Sequence, residues 1–347
     1  MVADLDNIFL SEENYRKAFE VGLENMLGHD ELGAYILVLA NACNEKNIYQ
    51  KLASELNKRF ETLSHLYRES SQYRTQSAPD DVAVFEQLMS VGFDRLELSQ
   101  YRHEDCWQLQ YNPLRSFRPS RNSTVKFETI SKPFDELGFN FNKPFLKKEI
   151  FWQGELLGRQ VNLLYNKFPF APLHGLLVID AKQNKPQFLF REDHQTIWSL
   201  LEMLCEHMPS MGVAYNSLGA YSSVNHQHFQ SFVSKMRYPV ELACWQHNGG
   251  EQEYPINCMK FFDFEESWSY IDTLHKENIP YNLFYRQGEV YCINRAFQGS
   301  YLHAQWTGGF AWAEVFGSIT TSSKEDFENL ENQMIRTEML KLNQENR

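Results

Sequence analysis

The stretch Ser223-Val-Asn-His-Gln-His-Phe-Gln-Ser-Phe232 places His226, His228 and Gln230 at every second position of a run that otherwise has the makings of a strand. On an extended chain successive side chains alternate between faces, so these three project one way while Gln227 and Phe229 project the other. The spacing predicts a strand with one polar face built for a purpose.

Two imidazoles and a carboxamide suit a phosphoryl centre. A neutral imidazole can attack phosphorus, its neighbour can orient it, and a carboxamide can donate to a non-bridging oxygen without adding charge. The hydroxyls of Ser222 and Ser223 stand just upstream and can do similar work. Two other readings stand beside this one. The first is a set of hydrogen-bonded, half-exposed residues on a sheet edge. The second is a metal site, which would call for a carboxylate a few residues on; residues 231–236 read Ser-Phe-Val-Ser-Lys-Met and supply none.

Working upstream, Tyr215-Asn-Ser-Leu-Gly-Ala-Tyr221 leads into the histidines. Before it, Asp193 can cap a helix through Ile197, Leu200, Leu201 and Leu204 that stops short of Pro209, and His174 to Asp180 reads as an apolar strand entered through the kinked Phe168-Pro-Phe-Ala-Pro172. Downstream, residues 265–276 read as a helix. Tyr281–Tyr285 and Val290–Ile293 flank Gln287-Gly288 as a hairpin, and a charged, peripheral helix begins near Ser323.

The first hundred residues read as helices. Ser11 caps a helix whose Tyr15, Ala18, Phe19, Leu23, Met26 and Leu27 share a face, and further helices fall near 31–43 and 46–69. Residues 70–79 read as a polar loop, with Asp80 and Asp81 capping a short helix that ends near Gly92. The expected organisation is a helical region over 1–100 and a catalytic domain over 105–347.

The chain of 347 residues is 43% hydrophobic and 14% aromatic, ample for packed sheets. Its formal charge of −12 repels a polyanion, so no nucleic-acid partner is expected. Arg115, Arg118, Arg121 and Lys126 form one local basic cluster suited to a small anion, with a solvated loop as the alternative reading. No membrane span and no basic, apolar leader is visible, so a cytoplasmic location is expected. The six cysteines lack any Cys-x-x-Cys pair and read as buried free thiols; no metal or other cofactor is expected.

Asn216 through Gln230 resembles the active-site strand of the histidine-triad superfamily, in the His-x-His-x-Gln nucleotidyltransferase branch that includes galactose-1-phosphate uridylyltransferase and diadenosine tetraphosphate phosphorylase. Within that branch the chain is most similar to the GDP-hexose phosphorylases. Four segments carry the likeness in order: Tyr111-Asn-Pro-Leu-Arg115 with Lys132-Pro-Phe-Asp135 and Phe139-Asn-Phe-Asn142; Asn166-Lys-Phe-Pro169 with His174; Tyr215 through Gln230 with Pro239-Val-Glu241; and Asn278-Ile-Pro-Tyr-Asn282 with Trp312 to Glu314. They span roughly residues 105–330 and leave the helical start unaccounted for. Gln227 stands where the family often has Leu, and Phe168 through His174 follows the broader superfamily pattern.

The resemblance implies an α+β fold, a histidine-triad-like antiparallel sheet with flanking helices, preceded by a helical extension. It also implies a reaction. His228 would attack the α-phosphorus of an NDP-sugar, expelling hexose 1-phosphate and holding the nucleotide as a phosphoramidate, which inorganic phosphate then cleaves to release NDP. His226 and Gln230 would assist. Asn166 and His174 would line the nucleotide pocket, with a histidine that merely fixes its strand as the alternative for His174. Asn216 and Gly219 would form a phosphate-contacting turn, and Ser222 and Ser223 would offer hydroxyls. Arg115 and Arg118 would bind phosphate. The expected partners are an NDP-sugar and inorganic phosphate, with a homodimer among the expected assemblies. A diadenosine polyphosphate phosphorylase or nucleotide hydrolase, a transferase with another acceptor, and a non-catalytic nucleotide-binding module stand as alternatives.

Overall fold

The computed structural model describes residues 7–118, 126–321 and 323–343. Helices come first: α1 (Glu12–Met26), α2 (Leu32–Asn44), α3 (Lys46–Glu69), α4 (Ser71–Gln76) and α5 (Pro79–Val91). Ser11 caps α1 as its sequence predicts, its Oγ accepting from the Asn14 N–H at 3.1 Å, with Glu12 and Glu13 facing the positive end of the helix dipole. The predicted loop at 70–79 instead contains α4, because Ser70 Oγ accepts from the Tyr73 N–H at 3.1 Å and starts another turn. Asp80 and Asp81 lie in the first turn of α5 and do not cap it; Pro79 opens that helix with its fixed φ.

The strands follow as β1 (Gln100–Glu104) and β2 (Trp107–Tyr111), short α6 (Pro113–Ser116), then β3 (Ile150–Leu156), β4 (Arg159–Tyr165) and β5 (Gly175–Ile179). After α7 (Arg191–Leu204) come β6 (Met211–Asn216), β7 (Phe229–Val233), β8 (Cys258–Phe261) and α8 (Phe264–Lys276). The chain ends with β9 (Tyr281–Arg286), β10 (Glu289–Asn294), short α9 (Trp312–Val315), β11 (Ser318–Thr321), α10 (Lys324–Asn329) and α11 (Asn332–Leu340). Among the described residues, eight strands form one antiparallel sheet in the order β3-β4-β5-β7-β6-β9-β10-β8, and β1-β2-β11 form a small second sheet.

The expected hairpin is present, with Arg286 opposite Glu289 across Gly288 at φ +68°. Asp193 is not the N-cap of α7. It lies in the first turn, and its buried carboxylate takes Arg159, Lys185 and Gln227. The C-terminal helix is also less peripheral than its charge suggests, since α11 buries Ile335 and Met339. Of the six cysteines, Cys43 and Cys292 are buried while Cys106, Cys205, Cys244 and Cys258 are partly exposed, and all are free thiols. No helix of the described residues is long and apolar enough to cross a membrane.

One face of the large sheet packs against the N-terminal helices. Phe19 meets Tyr165 at 4.7 Å and Phe151 at 5.2 Å, and the Tyr165 hydroxyl donates to the Phe19 carbonyl at 2.6 Å. Gly22 makes this approach possible, because a Cβ there would lie 2.1 Å from the Tyr165 hydroxyl. Burying each such Phe or Leu side chain stabilises by about 1.5–3 kcal/mol, so the helices and sheet support one another. The opposite face holds an aromatic core in which Phe232 packs near-parallel against Trp312 (5.1 Å) and Phe284 (5.5 Å). Gln230 and Phe232 share this second face, whereas Phe229, Ser231 and Val233 face the helices.

Candidate active site

The regular strand begins only at Phe229, later than the pattern of residues 223–232 predicts. Ladder pairing explains this: β5 meets β7 from Leu177 opposite Phe229, and β6 meets it from Ala214 opposite Gln230, so His228 lies just beyond both partners. Residues 185–188 take over there. Gln227 N–H donates to the Lys185 carbonyl at 2.9 Å, and His228 N–H to Gln187 Oε1 at 2.9 Å. The alternation of faces continues into this extended segment. Gln227 turns toward α7 and donates to Asp193 at 2.9 Å and to the Phe188 carbonyl at 3.0 Å, away from His228.

The two histidines are held in definite tautomers by the main chain. His226 Nδ1 accepts from the Phe141 N–H at 3.0 Å, so Nε2 carries the proton and donates to the Ala181 carbonyl at 3.0 Å. Both nitrogens of that ring are thus committed, which leaves it no lone pair for a metal. His228 Nδ1 lies 2.8 Å from the His226 carbonyl and can only donate to it, so its Nε2 keeps the lone pair. That Nε2 has no hydrogen bond among the described residues. The group that orients His228 is the main-chain oxygen of His226, not its ring.

Burial lowers the pKa of His228 to about 4, with the His226 ring acting in the same direction and the bond to its carbonyl opposing; burial also lowers that of His226. At neutral pH His228 is a neutral imidazole. Phe141 stands 5.1 Å from the His228 ring and 5.6 Å from the His226 ring, and Phe134 stands 5.1 Å from His226, so aromatic walls supply the low-dielectric surroundings.

Gln230 is fixed by a second set of bonds. Its Oε1 accepts from His174 Nε2 at 2.6 Å and from Trp312 Nε1 at 3.3 Å, with Asn166 Nδ2 at 3.5 Å. His174 can serve as donor because its Nδ1 accepts from the Phe170 N–H at 3.3 Å, and burial lowers its pKa to about 3, aided by the nearby Arg115. With the oxygen so occupied, the NH2 of Gln230 is the group that can donate, and it has no protein acceptor among the described residues. His174 thus acts on Gln230 from behind.

The remaining predicted residues are placed as follows. Asn216 is buried; its Oδ1 accepts from Asn282 Nδ2 at 2.6 Å and from the Trp312 N–H at 3.0 Å. Gly219 turns at φ +79°, and a Cβ there would meet the Phe297 ring at 2.5 Å. Ser222 Oγ donates to the Val224 carbonyl at 3.2 Å, and Ser223 is exposed. Arg115 holds its guanidinium 4.7 Å over Phe170 and donates to the Phe168 carbonyl at 3.2 Å; burial lowers its pKa, opposed by Glu314. Arg118 stands 5.3 Å over Phe168. Arg121 of the basic cluster lies outside the described residues.

Sequence reasoning assigned no role to Gln187, Phe141 or Trp312. Gln187 sits 41 residues before His228 and carries no motif, so only the fold reveals the bond. A cavity of about 1090 Å³ opens nearby, lined among others by Phe127, Asn278, Phe297 and Tyr301; it borders the Gly219 turn through Phe297 and does not include either histidine.

Residues 106–232 match the family described as GDPGP1-like, N-terminal domain. The chain is 27% identical over 219 residues to GDP-D-glucose phosphorylase 1 of Danio rerio, covering 58% of this chain and 61% of that one. It is 29% identical over 242 residues to the Homo sapiens protein of the same name, covering 61% and 62%. It is 26% identical over 199 residues to GDP-L-galactose phosphorylase 1 of Arabidopsis thaliana, covering 47% and 43%. The matches therefore span less than two thirds of these relatives' own lengths. Among solved structures, yeast Ap4A phosphorylase Apa2 in complex with Ap4A aligns over 78% of this chain and 99% of its own, with a TM-score of 0.50 and 14% identity. That likeness bears on the fold alone, and the expected histidine-triad-like antiparallel sheet with flanking helices and an N-terminal helical extension is the fold observed. By sequence, residues 106–232 match the GDPGP1-like N-terminal domain, and the chain is similar over part of its length to the GDP-D-glucose and GDP-L-galactose phosphorylases.

Proposed function

We propose that the protein is a nucleotidyltransferase that cleaves a GDP-hexose with inorganic phosphate through a covalent intermediate on His228. One observation carries the reading: Nδ1–H of His228 is spent on the His226 carbonyl, so a neutral Nε2 keeps its lone pair two residues from Gln230 in the chain. The names of the relatives supply the substrate class.

In the first step the Nε2 lone pair attacks the α-phosphorus. The bond from that phosphorus to the bridging oxygen breaks, and hexose 1-phosphate leaves with the electron pair. The P–N bond retains much of the free energy of the phosphoanhydride, so the second step is feasible. A phosphate oxygen then attacks the same phosphorus, the P–N bond breaks, GDP leaves, and Nε2 regains its lone pair. The NH2 of Gln230 donates to a non-bridging oxygen in both transition states. His226 acts through its carbonyl. Asn166, Asn216, Gly219, Ser222 and Ser223 border the substrate in this reading, while Arg115 and Arg118 supply positive charge for phosphate. Residues 105–347 form the catalytic domain, and the helices of residues 1–100 brace its sheet from behind.

Product analysis tests the substrate class. Incubation with GDP-glucose or GDP-galactose and phosphate should yield GDP and hexose 1-phosphate, with little turnover when phosphate is omitted. Phosphate-independent release of GMP would mark a hydrolase, and turnover of diadenosine tetraphosphate in preference to any GDP-hexose would overturn the substrate assignment.

A further inference from the structure

We propose that Gln187 is the positioning residue of the nucleophile, a side chain that substitutes for a missing strand at the point where His228 leaves the sheet. The inference rests on His228 being the reacting group. At Gln230 the backbone is paired with β5 on one side and β6 on the other, at Phe229 with β5 alone, and at His228 both ladders have ended. The carboxamide of Gln187 fills the gap. Its Oε1 accepts from His228 N–H at 2.9 Å, and its Nε2 donates to the His228 carbonyl at 3.2 Å and to the Asn216 carbonyl at 2.8 Å.

A carboxamide has one acceptor oxygen and two N–H donors, and these three contacts use that full set in one orientation. Both polar main-chain groups of His228 are thereby tied, as is the end of β6. Gln187 is itself fully buried, and its own N–H donates to Asn225 Oδ1 at 3.0 Å, so the clamp is anchored at both ends. The consequence is geometric. With N–H and C=O of His228 fixed, the Cα–Cβ direction is fixed, and the bond from Nδ1 to the His226 carbonyl then leaves Nε2 a single aim. Reaction requires that aim to hold within a fraction of an ångström.

Two variants separate positioning from mere support. Gln187→Met keeps length and loses all three bonds. Gln187→Glu keeps the acceptor but replaces both donors with a carboxylate that repels two carbonyl oxygens; protonation would restore one donor. In rapid-quench measurements with GDP-glucose, Gln187→Met should slow adduct formation on the order of 10²-fold, while GDP binds within about 3-fold of the parent. Gln187→Glu should regain rate as pH falls toward the range of a buried carboxyl, where the parent is flat. A Gln187→Met rate equal to that of the parent, or a Gln187→Glu profile parallel to it, would overturn the proposal. Nitrogen NMR of the ligand-free protein gives an independent reading: the parent should show His228 as a single Nδ1–H tautomer, and Gln187→Glu at pH 8 a mixture. If the parent forms no adduct with any nucleotide, the proposed reaction fails, and the tautomer comparison alone decides whether Gln187 positions the ring.

Discussion

His228 donates its Nδ1 proton to the carbonyl oxygen of His226, two residues back along its own chain, at 2.8 Å. The contact fixes which nitrogen holds the lone pair, because a ring that donates from Nδ1 in its neutral form must carry it on Nε2. A segment that turned one residue earlier or later would lose it.

The acid limb of the reaction follows from this ring. In the proposed reaction protonation of Nε2 removes the attacking lone pair, and burial lowers the His228 pKa to about 4. The rate of adduct formation should therefore stay level from pH 8 to about pH 5 and fall as pH drops through about 4. A midpoint near the ordinary imidazole value of about 6.5 would contradict the buried, neutral assignment. Rapid-quench rates across that range make the comparison.

Stability should show the same histidines with a different onset. His174 and His228 are depressed to about 3 and about 4 in the folded state, whereas an unfolded histidine titrates near about 6.5. Below about 6.5 the unfolded chain binds protons that the folded one does not, so folding stability falls with pH. Thermal unfolding followed from pH 7.5 to pH 5 should give a declining Tm before the ordinary carboxylate range is reached, and a constant Tm over that interval would count against the burial of these rings.

Gln230 offers a test of orientation. Replacing Trp312 with Phe removes one of the donors to Oε1 and keeps a ring against Phe232. The carboxamide can then rotate more freely, and the transfer rate should fall on the order of 10-fold with little change in KM. Gln230→Glu removes the NH2 altogether and brings negative charge to the phosphate, so its loss should be larger, on the order of 10²–10³ in kcat. A Trp312→Phe protein with the parent's transfer rate would argue that Trp312 matters only for packing.

The union of the helical region with the sheet can be measured separately. Phe19→Ala empties a buried site between Tyr165 and Phe151 and should cost about 3–5 kcal/mol in denaturant unfolding. Gly22→Val should destabilise as well, since its Cβ would meet the Tyr165 hydroxyl. A Phe19→Ala protein as stable as the parent would show that the helices contribute little to the sheet.

Periodicity made some parts of this molecule legible and concealed others. The alternation is legible from Gln230 onward, where Gln230 and Phe232 take one face and Phe229, Ser231 and Val233 the other, although the regular strand begins only at Phe229. Ser11 was readable as a cap because its partner, the Asn14 N–H, is local. Asp193 looked like a cap for the same reason, but distant Arg159 and Lys185 claim its carboxylate. Strand β6 escaped notice because Gly212 weakens its pattern; that glycine is needed where the Phe232 ring crosses it, within 2.2 Å of a would-be Cβ. Gln187 escaped for a deeper reason. A lone glutamine has no spacing to recognise, and its partners are brought to it only when β6 and β7 pair.

The proposed covalent intermediate on His228 is tested most directly by intact-protein mass. The protein is mixed with GDP-glucose in the absence of phosphate, quenched in base where phosphoramidates survive, and weighed. A single added guanylyl group, absent from His228→Ala and discharged as GDP when phosphate is added before the quench, is the expected result. No added mass with any NDP-sugar or dinucleoside polyphosphate, or the same adduct on His228→Ala, would contradict it.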